Sequence, residues 1–80
     1  MAIQKEDWTA KSTKFALIRA QILQILTCAG RPLDMAEIMI RFKNRFQYLP
    51  YIERRIYELM EQEKIYRIYG AVPRYAKTNN

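Results

Sequence analysis

The chain contains no histidine, one serine and one cysteine among its 80 residues. Without histidine it lacks the side chain that most often acts as a general base near neutral pH, and neither a Ser-His-Asp nor a Cys-His arrangement can be assembled. A structural zinc site needs about four Cys, His or carboxylate ligands at close spacing, so it is excluded as well. We therefore expect a protein that is not an enzyme and that holds no metal and no cofactor.

Long apolar runs are also missing. No run approaches the ~20 residues of a membrane span, and the first residues lack the apolar stretch of a signal peptide. Cys28 is alone, so it cannot form an internal disulfide, and its place near a helix C-terminus disfavours a thiolate. We predict that the small side chain of Cys28 is buried. We also predict that the protein is cytoplasmic, or nuclear in a eukaryote, and that it has no membrane partner.

Acidic residues are fewer than basic ones: the chain has 8 Asp and Glu residues against 14 Lys and Arg residues, which gives a net charge of +6. Such a balance indicates a polyanionic partner, although a basic solvated surface is the plainer alternative. Residues 38–55 hold five cations and one acid, and residues 64–80 hold four cations and no acid. The acids cluster instead at Glu58, Glu61 and Glu63, so we expect one end of the molecule to be positive and another negative.

Apolar residues three and four apart predict a first helix over residues 13–29. Ser12 or Thr13 can cap its start, and Gly30 can end it in the left-handed conformation. Residues 1–11 show no such period and are predicted to form an N-terminal arm or a short helical lead-in. The predicted buried stripe, widened by Leu17 and Leu23, consists of Phe15, Ile18, Ile22, Ile25 and Leu26.

Two further helices and a hairpin follow. Asp34 and Glu37 form a capping-box pattern, which places the start of a second helix at Met35 and its end near residues 43–44. The segment 31–33 before it reads as a connector or a minimal strand. A third helix is predicted from about Pro50 to Gln62. Residues 64–69 and 74–77 are rich in β-branched and aromatic residues on either side of a turn, which predicts a β-hairpin.

This order of elements resembles the winged helix-turn-helix family. The segment Gly30-Arg31-Pro32-Leu33-Asp34-Met35-Ala36-Glu37-Ile38 is similar to the family's entry into its second helix, and Ile52, Ile56 and Leu59 before Lys64-Ile65 are similar to its third helix and first wing strand. The resemblance implies an α+β, mainly α fold, with three helices and a C-terminal β-hairpin wing. The domain would span residues 12–77, between the arm at 1–11 and a tail at 78–80.

The chain departs from the family at two places. Members commonly have a glycine between the third helix and the wing, where this chain has Glu63 and Lys64, so a residue with a Cβ must make that turn. The stretch between Ile38 and Ile52 is also about three residues longer than in compact members, and we place Phe46, inside it, in the core.

The resemblance implies a protein that binds double-stranded DNA sequence-specifically. It would be a small transcriptional regulator with its third helix in the major groove and its wing on the DNA backbone. Arg54 and Arg55 would read bases or clamp phosphates; the alternative is that both pair with Glu58 or Glu61 along the helix. Tyr51 is equally open to a core or a contact role. The candidate DNA-binding residues are Arg41, Lys43, Arg45, Tyr48, Tyr51, Arg54, Arg55, Arg67, Arg74 and Lys77.

In the hairpin, Arg67 and Arg74 are predicted to be cross-strand neighbours, with Lys77 extending the positive strip. The tyrosines of the hairpin are expected to cover the sheet: Tyr66, Tyr69 and Tyr75.

Two other functions stay open. A protein-interaction module would work through an apolar patch that includes Trp8 and Leu17, and a binder of single-stranded nucleic acid or RNA would stack bases on the tyrosine-rich hairpin. Because so small a domain recognises few base pairs alone, we also expect either a homodimer on two half-sites or a tether to a larger assembly. The first helix and the arm are the candidate surfaces for that contact.

Overall fold

Three helices and one small antiparallel sheet form the part of the chain that the structure describes. The structure is a computed structural model, and it describes residues 2–42 and 49–78, with the backbone alone for residues 2–12. The elements are α1 (Ala2–Ala29), β1 (Leu33–Asp34), α2 (Met35–Ile40), α3 (Leu49–Glu61), β2 (Ile65–Ile68) and β3 (Arg74–Lys77). The strand order is β1-β3-β2. The α+β, mainly helical fold class is confirmed at this level.

α1 begins at Ala2, which corrects the predicted start at residue 13. Of the two forms predicted for the first residues, the structure shows the helical one, as a continuation of α1. Residues 2–12 lack an apolar period, but their Ala, Gln, Lys and Glu residues favour helix without it. The 28 residues of α1 are about 42 Å long, against a longest molecular dimension of 46 Å. At the other end, Gly30 has φ 66° and its N–H donates to the Leu26 carbonyl at 3.2 Å, the predicted left-handed cap.

The core lies between the inner side of α1, the buried side of α3 and the sheet. Its most completely buried large side chains are Ile22, Leu33, Ile38, Ile52, Ile56, Leu59 and Ile65. Two predictions for α1 are wrong: Leu17 is 65% exposed, and Cys28 is exposed. Both lie on the outer side of α1, since Ile18, Ile22 and Ile25 fix the side that faces the core.

α2 begins as its capping box predicts. The Glu37 N–H donates to the Asp34 carboxylate at 2.8 Å, and the Asp34 N–H donates to the Glu37 carboxylate at 3.1 Å. Arg31 also donates to Glu37, at 2.8 Å, and this bond, followed by the one from Asp34, lowers the pKa of Glu37. α2 is shorter than predicted, because the N–H of Arg41 already bonds to the Ile38 carbonyl.

A non-glycine residue in the left-handed conformation makes the turn from α3 into the sheet, as the sequence requires. Glu63 has φ 60°, and it is the only non-glycine residue with positive φ within 2–42 and 49–78. Its N–H donates to the Met60 carbonyl at 3.0 Å, and that of Lys64 to the Leu59 carbonyl at 2.9 Å. These two bonds form a Schellman motif, in which glycine is the usual residue at the position of Glu63.

Replacing Glu63 by glycine is therefore expected to stabilise the protein. The left-handed conformation costs a residue with a Cβ about 1–2 kcal/mol. Glycine avoids this strain, but it loses more conformational entropy on folding, and that loss offsets part of the gain. We expect Glu63→Gly to raise the free energy of unfolding in urea by about 0.5–1 kcal/mol. Glu61→Gly, in the last turn of α3, is the control and should lower it by a similar amount. Equal losses in both variants would contradict the strain at Glu63.

The hairpin register corrects the prediction that Arg67 and Arg74 are cross-strand neighbours. Arg67 lies opposite Tyr75, and Arg74 lies opposite Ile68. Because successive residues of a strand point to opposite faces of a sheet, Arg67 shares the core-side face with Ile65, and Arg74 lies on the outer face. The two cations are on different sides of the sheet.

Candidate nucleic-acid interface

α3 has one buried side and one exposed side. Ile52, Ile56 and Leu59 lie in the core. The residues on the opposite side are four, three and four apart, the spacing of a single helical face. We call this the outer face of α3, and it consists of Pro50, Arg54, Tyr57 and Glu61. Arg54, which the sequence predicts to contact DNA, is exposed at its middle.

The charges of α3 are unevenly distributed along its length. Glu61 is the last residue of the helix, and Glu58, one turn earlier, is turned toward α1, where it pairs with Arg19. Glu53 is half-buried and lies off the outer face. The N-terminal half of the outer face therefore carries Arg54 as its one charged residue, at the end of the helix where the dipole is positive. This half of α3 is suited to an anionic partner.

Arg55 is buried, which corrects its prediction as a DNA contact. It is 5% exposed, and its guanidinium carbon lies 3.8 Å from the centre of the Phe15 ring. Its Nε lies 2.8 Å from the Glu58 carboxylate oxygen to which Arg19 donates at 2.7 Å. α1 thus covers Arg55, and the alternative of a pair with Glu58 is confirmed for this arginine. Helical spacing carried the signal, because Arg55 lies three and four residues from Ile52 and Leu59.

Tyr51 combines the two roles that the sequence left open. Its ring packs edge-on against Phe15 of α1, with 5.6 Å between ring centres and an angle of 73°, and yet the residue is partly exposed. The Lys14 ammonium lies 5.3 Å from the centre of the Tyr51 ring. Lys14 was not predicted as a site residue, because only the packing of α1 on α3 brings it to the first turn of α3. It adds a cation to the positive end of that helix.

The predicted positive strip of the hairpin is not formed. Arg74 is exposed at the start of β3, but it lies opposite Asp34 of β1, and its charge contributes to the lowered pKa of Glu37. Lys77 is exposed at the far end of β3, about 10 Å away and on the other face. Of these two residues, Arg74 is the one that lies beside the turn of the hairpin.

Arg67 lies among three tyrosines instead of on the open surface. Its guanidinium carbon lies over the rings of Tyr57, Tyr69 and Tyr75, at 5.5, 5.8 and 5.6 Å from their centres. Tyr75, and then Tyr57 and Tyr69, raise the pKa of Arg67 against the opposing effect of burial. We call these four residues the tyrosine–arginine cluster. The sequence could not predict it, because Tyr57 belongs to α3 and the other three residues to the hairpin.

The expectation that the hairpin tyrosines cover the sheet holds for one of the three. Tyr75 is buried in the core, while Tyr66 and Tyr69 are exposed. Tyr57, which was not predicted as a site residue, is also exposed. It could have been found from the sequence, because it lies one turn beyond Arg54 on the outer face of α3.

The remaining predicted site residues lie around the connection from α2 to α3. Arg41 is exposed directly after α2. Lys43, Arg45 and Tyr48 lie outside the described residues, as does Phe46, which was placed in the core. The described residues of the candidate interface are Arg41, Tyr51, Arg54 and Arg74 from the prediction, with Lys14 and Tyr57 added by the structure.

The rest of the described chain adds no metal site and no membrane segment. Among the described side chains, within 13–42 and 49–78, no three His, Cys, Asp or Glu residues are grouped so that they could hold a metal ion. No helix in these ranges is both long and apolar enough to cross a bilayer. Comparison of the chain with protein-family models, with curated proteins and with solved structures finds no match.

Proposed function

We propose that this chain is a winged helix-turn-helix protein that binds double-stranded DNA sequence-specifically, without doing chemistry on it. The strand order supports the fold, because β1, which precedes α2, joins the sheet of the hairpin that follows α3. In this arrangement α2 and α3 would be the helix-turn-helix, and the β2–β3 hairpin would be the wing. Helices of this kind contact base edges with their N-terminal residues.

The outer face of α3 carries the proposal. A major groove about 12 Å wide admits one helix and presents base edges to its exposed side chains. Arg54 is exposed at the middle of this face and can donate two hydrogen bonds to O6 and N7 of a guanine. Tyr57, one turn later, can donate its hydroxyl to a phosphate. The carboxylates of Glu58 and Glu61 lie toward the other end of α3, so insertion by the N-terminal half keeps them away from the phosphates.

Cations around α3 would hold the protein on the DNA backbone. Arg41 follows α2, Lys14 lies beside the first turn of α3, and Arg74 begins the second strand of the hairpin. Lys43 and Arg45 stay sequence predictions for the same role. A net charge of +6 favours association with any duplex, and the base contacts of Arg54 would then select among sequences. The proposed role is that of a small transcriptional regulator, in the cytoplasm or, in a eukaryote, the nucleus.

Selection from a pool of random duplexes tests this function. Binding at ~200 mM salt weakens non-specific association, so that repeated selection should enrich one short site containing a guanine. A pool that keeps its random composition after several rounds would contradict sequence-specific binding.

A second copy of the chain is the partner that α1 favours. Between residues 15 and 30 the one charged residue is Arg19, which is paired with Glu58, and the outer side of α1 exposes Ala16, Leu17, Ala20 and Gln24. Two molecules that each carry +6 repel one another least through an uncharged face. We propose that α1 packs against α1 of a second copy. The same face would serve a protein-interaction module, the function that gains if DNA is not bound.

A charge at Leu17 is expected to separate the two copies. Leu17 is exposed in the monomer, so Leu17→Lys should not disturb the core, but it would place two lysines in a face-to-face contact. We expect the dimer dissociation constant from sedimentation velocity to rise by a factor of 10 or more, about 1.4 kcal/mol. Val72→Lys adds the same charge at the exposed tip of the hairpin and should leave the constant unchanged. A wild-type protein that sediments as a monomer at every concentration would contradict this interface.

A further inference from the structure

The tyrosine–arginine cluster contains an aromatic ring that is held on one side and open on the other. Arg67 lies over one face of the Tyr69 ring, and Tyr69 is nonetheless 79% exposed. Exposure of this extent leaves the opposite face of the ring accessible. A ring held from behind by a cation loses little freedom when a flat ligand stacks on its open face.

The rest of the cluster fixes the position of Arg67. Tyr75 is buried in the core and Tyr57 stands on the outer face of α3, so the guanidinium is held between the sheet and that helix. Its Nε is buried without a hydrogen-bond partner among the described residues, and the three tyrosine rings surround the guanidinium. Tyr69 therefore projects from a fixed base beside the proposed DNA-reading face.

The charge around the cluster identifies the kind of flat ligand. Within the cluster the one charged group is the guanidinium of Arg67, and no acidic residue occurs in the sequence after Glu63. A flat group attached to an anionic chain fits this setting, and a nucleobase on its phosphate backbone has both properties. Bases inside a duplex are already stacked on their neighbours, so only an unpaired base offers a ring face.

We propose that Tyr69, supported by Arg67, stacks an unpaired nucleobase next to the duplex bound by α3. The protein would then prefer DNA in which a single-stranded segment adjoins the duplex. This inference rests on the proposed DNA binding and adds a second ligand element to it. Stacking of one base on an aromatic side chain changes affinity by about 5- to 150-fold.

Fluorescence anisotropy with matched two-stranded DNA duplexes tests the proposal. One labelled duplex is blunt, and the others carry a single-stranded overhang of about three nucleotides, of DNA or of RNA. The wild type is expected to bind an overhang duplex about 5- to 150-fold more tightly than the blunt one. A preference for both overhangs supports stacking on the base regardless of the sugar. A preference for one overhang shows whether the unpaired base belongs to DNA or to RNA.

Two exposed tyrosines of the hairpin provide the variant and its control. Tyr69→Ala should abolish the preference for the overhang, while Tyr69→Phe should keep it. Tyr66→Ala removes a tyrosine that is 50% exposed on the other face of β2 and should leave the preference intact. Because Tyr69 and Tyr66 are both exposed, circular dichroism should show folded protein in each case.

The outcomes separate this inference from the proposed function. Tight binding of the blunt duplex without any gain from the overhang overturns the stacking site and leaves duplex binding in place. Binding of a single-stranded oligonucleotide through Tyr69, without binding of the blunt duplex, supports the stacking site and overturns duplex recognition. If Tyr69→Ala lowers the affinity for the blunt and the overhang duplexes to the same degree, the stacking site is also overturned.

Discussion

Glu58→Gln is expected to lower the free energy of unfolding by about 2–3 kcal/mol, a large part of the roughly 4–12 kcal/mol available to 80 residues. The Glu58 carboxylate is the partner of two cations, Arg19 and Arg55. Glutamine keeps the shape of the side chain and removes its charge, so the buried guanidinium of Arg55 would lose its counter-charge. The partial exposure of Glu58 places the loss below that of a fully buried pair. Urea denaturation measures it.

Two comparisons isolate the charge of Arg55 as the cause. Glu61→Gln removes a carboxylate one turn further along α3, on the exposed face, and should change stability by less than about 0.5 kcal/mol. Arg55→Met replaces the buried cation with an apolar chain of similar length and should stay within about 1 kcal/mol of the wild type. If Glu58→Gln were as mild as Glu61→Gln, Arg55 would not depend on that pair.

Arg54→Ala is expected to weaken binding to the selected DNA site by about 5- to 150-fold and to weaken binding to random duplex much less. Two hydrogen bonds from one arginine to a guanine contribute about 1–3 kcal/mol of discrimination against other bases. Arg54 is exposed, so the substitution should not change the fold. Titration of both DNAs against the variant separates the loss of base reading from the loss of one charge.

The neighbouring arginine provides the matched control for Arg54. Arg55→Met removes the same charge from the adjacent position of α3, but Arg55 is buried under Phe15 and should not reach DNA. We expect its affinity for the selected site to stay within about 2-fold of the wild type, with the residual change coming from the lost charge. Equal losses from Arg54→Ala and Arg55→Met would mean that α3 acts through charge alone.

The parts of the fold that were predicted from sequence depend on local chemistry. The capping box at Asp34 and Glu37 and the left-handed Gly30 each involve residues within four positions of each other, so both were predictable. The same holds for the turn at Glu63, where the sequence offered no glycine. The start of α1 was missed because residues 2–12 favour helix by composition and have no apolar period to reveal it.

The errors at the site come from contacts between distant parts of the chain. Arg55 shares the helical spacing of the buried residues of α3, but the Phe15 ring that covers it belongs to α1. Arg67 was predicted on an open strip because its strand partner was unknown; the register places Tyr75 beside it, and α3 supplies Tyr57. A group of cations in the sequence identifies a DNA-binding surface only when the structure shows which of them already have partners within the protein.

Anisotropy titration of the wild-type protein with random duplex at ~50 and ~200 mM salt tests the central claim most directly. Contacts with three or four phosphates predict that affinity falls by about 40- to 150-fold between these concentrations. A fall of this size would establish electrostatic binding to the DNA backbone, on which reading by Arg54 depends. No binding to duplex at ~50 mM salt would contradict the proposed function. The outer side of α1 would then be the candidate surface for binding another protein.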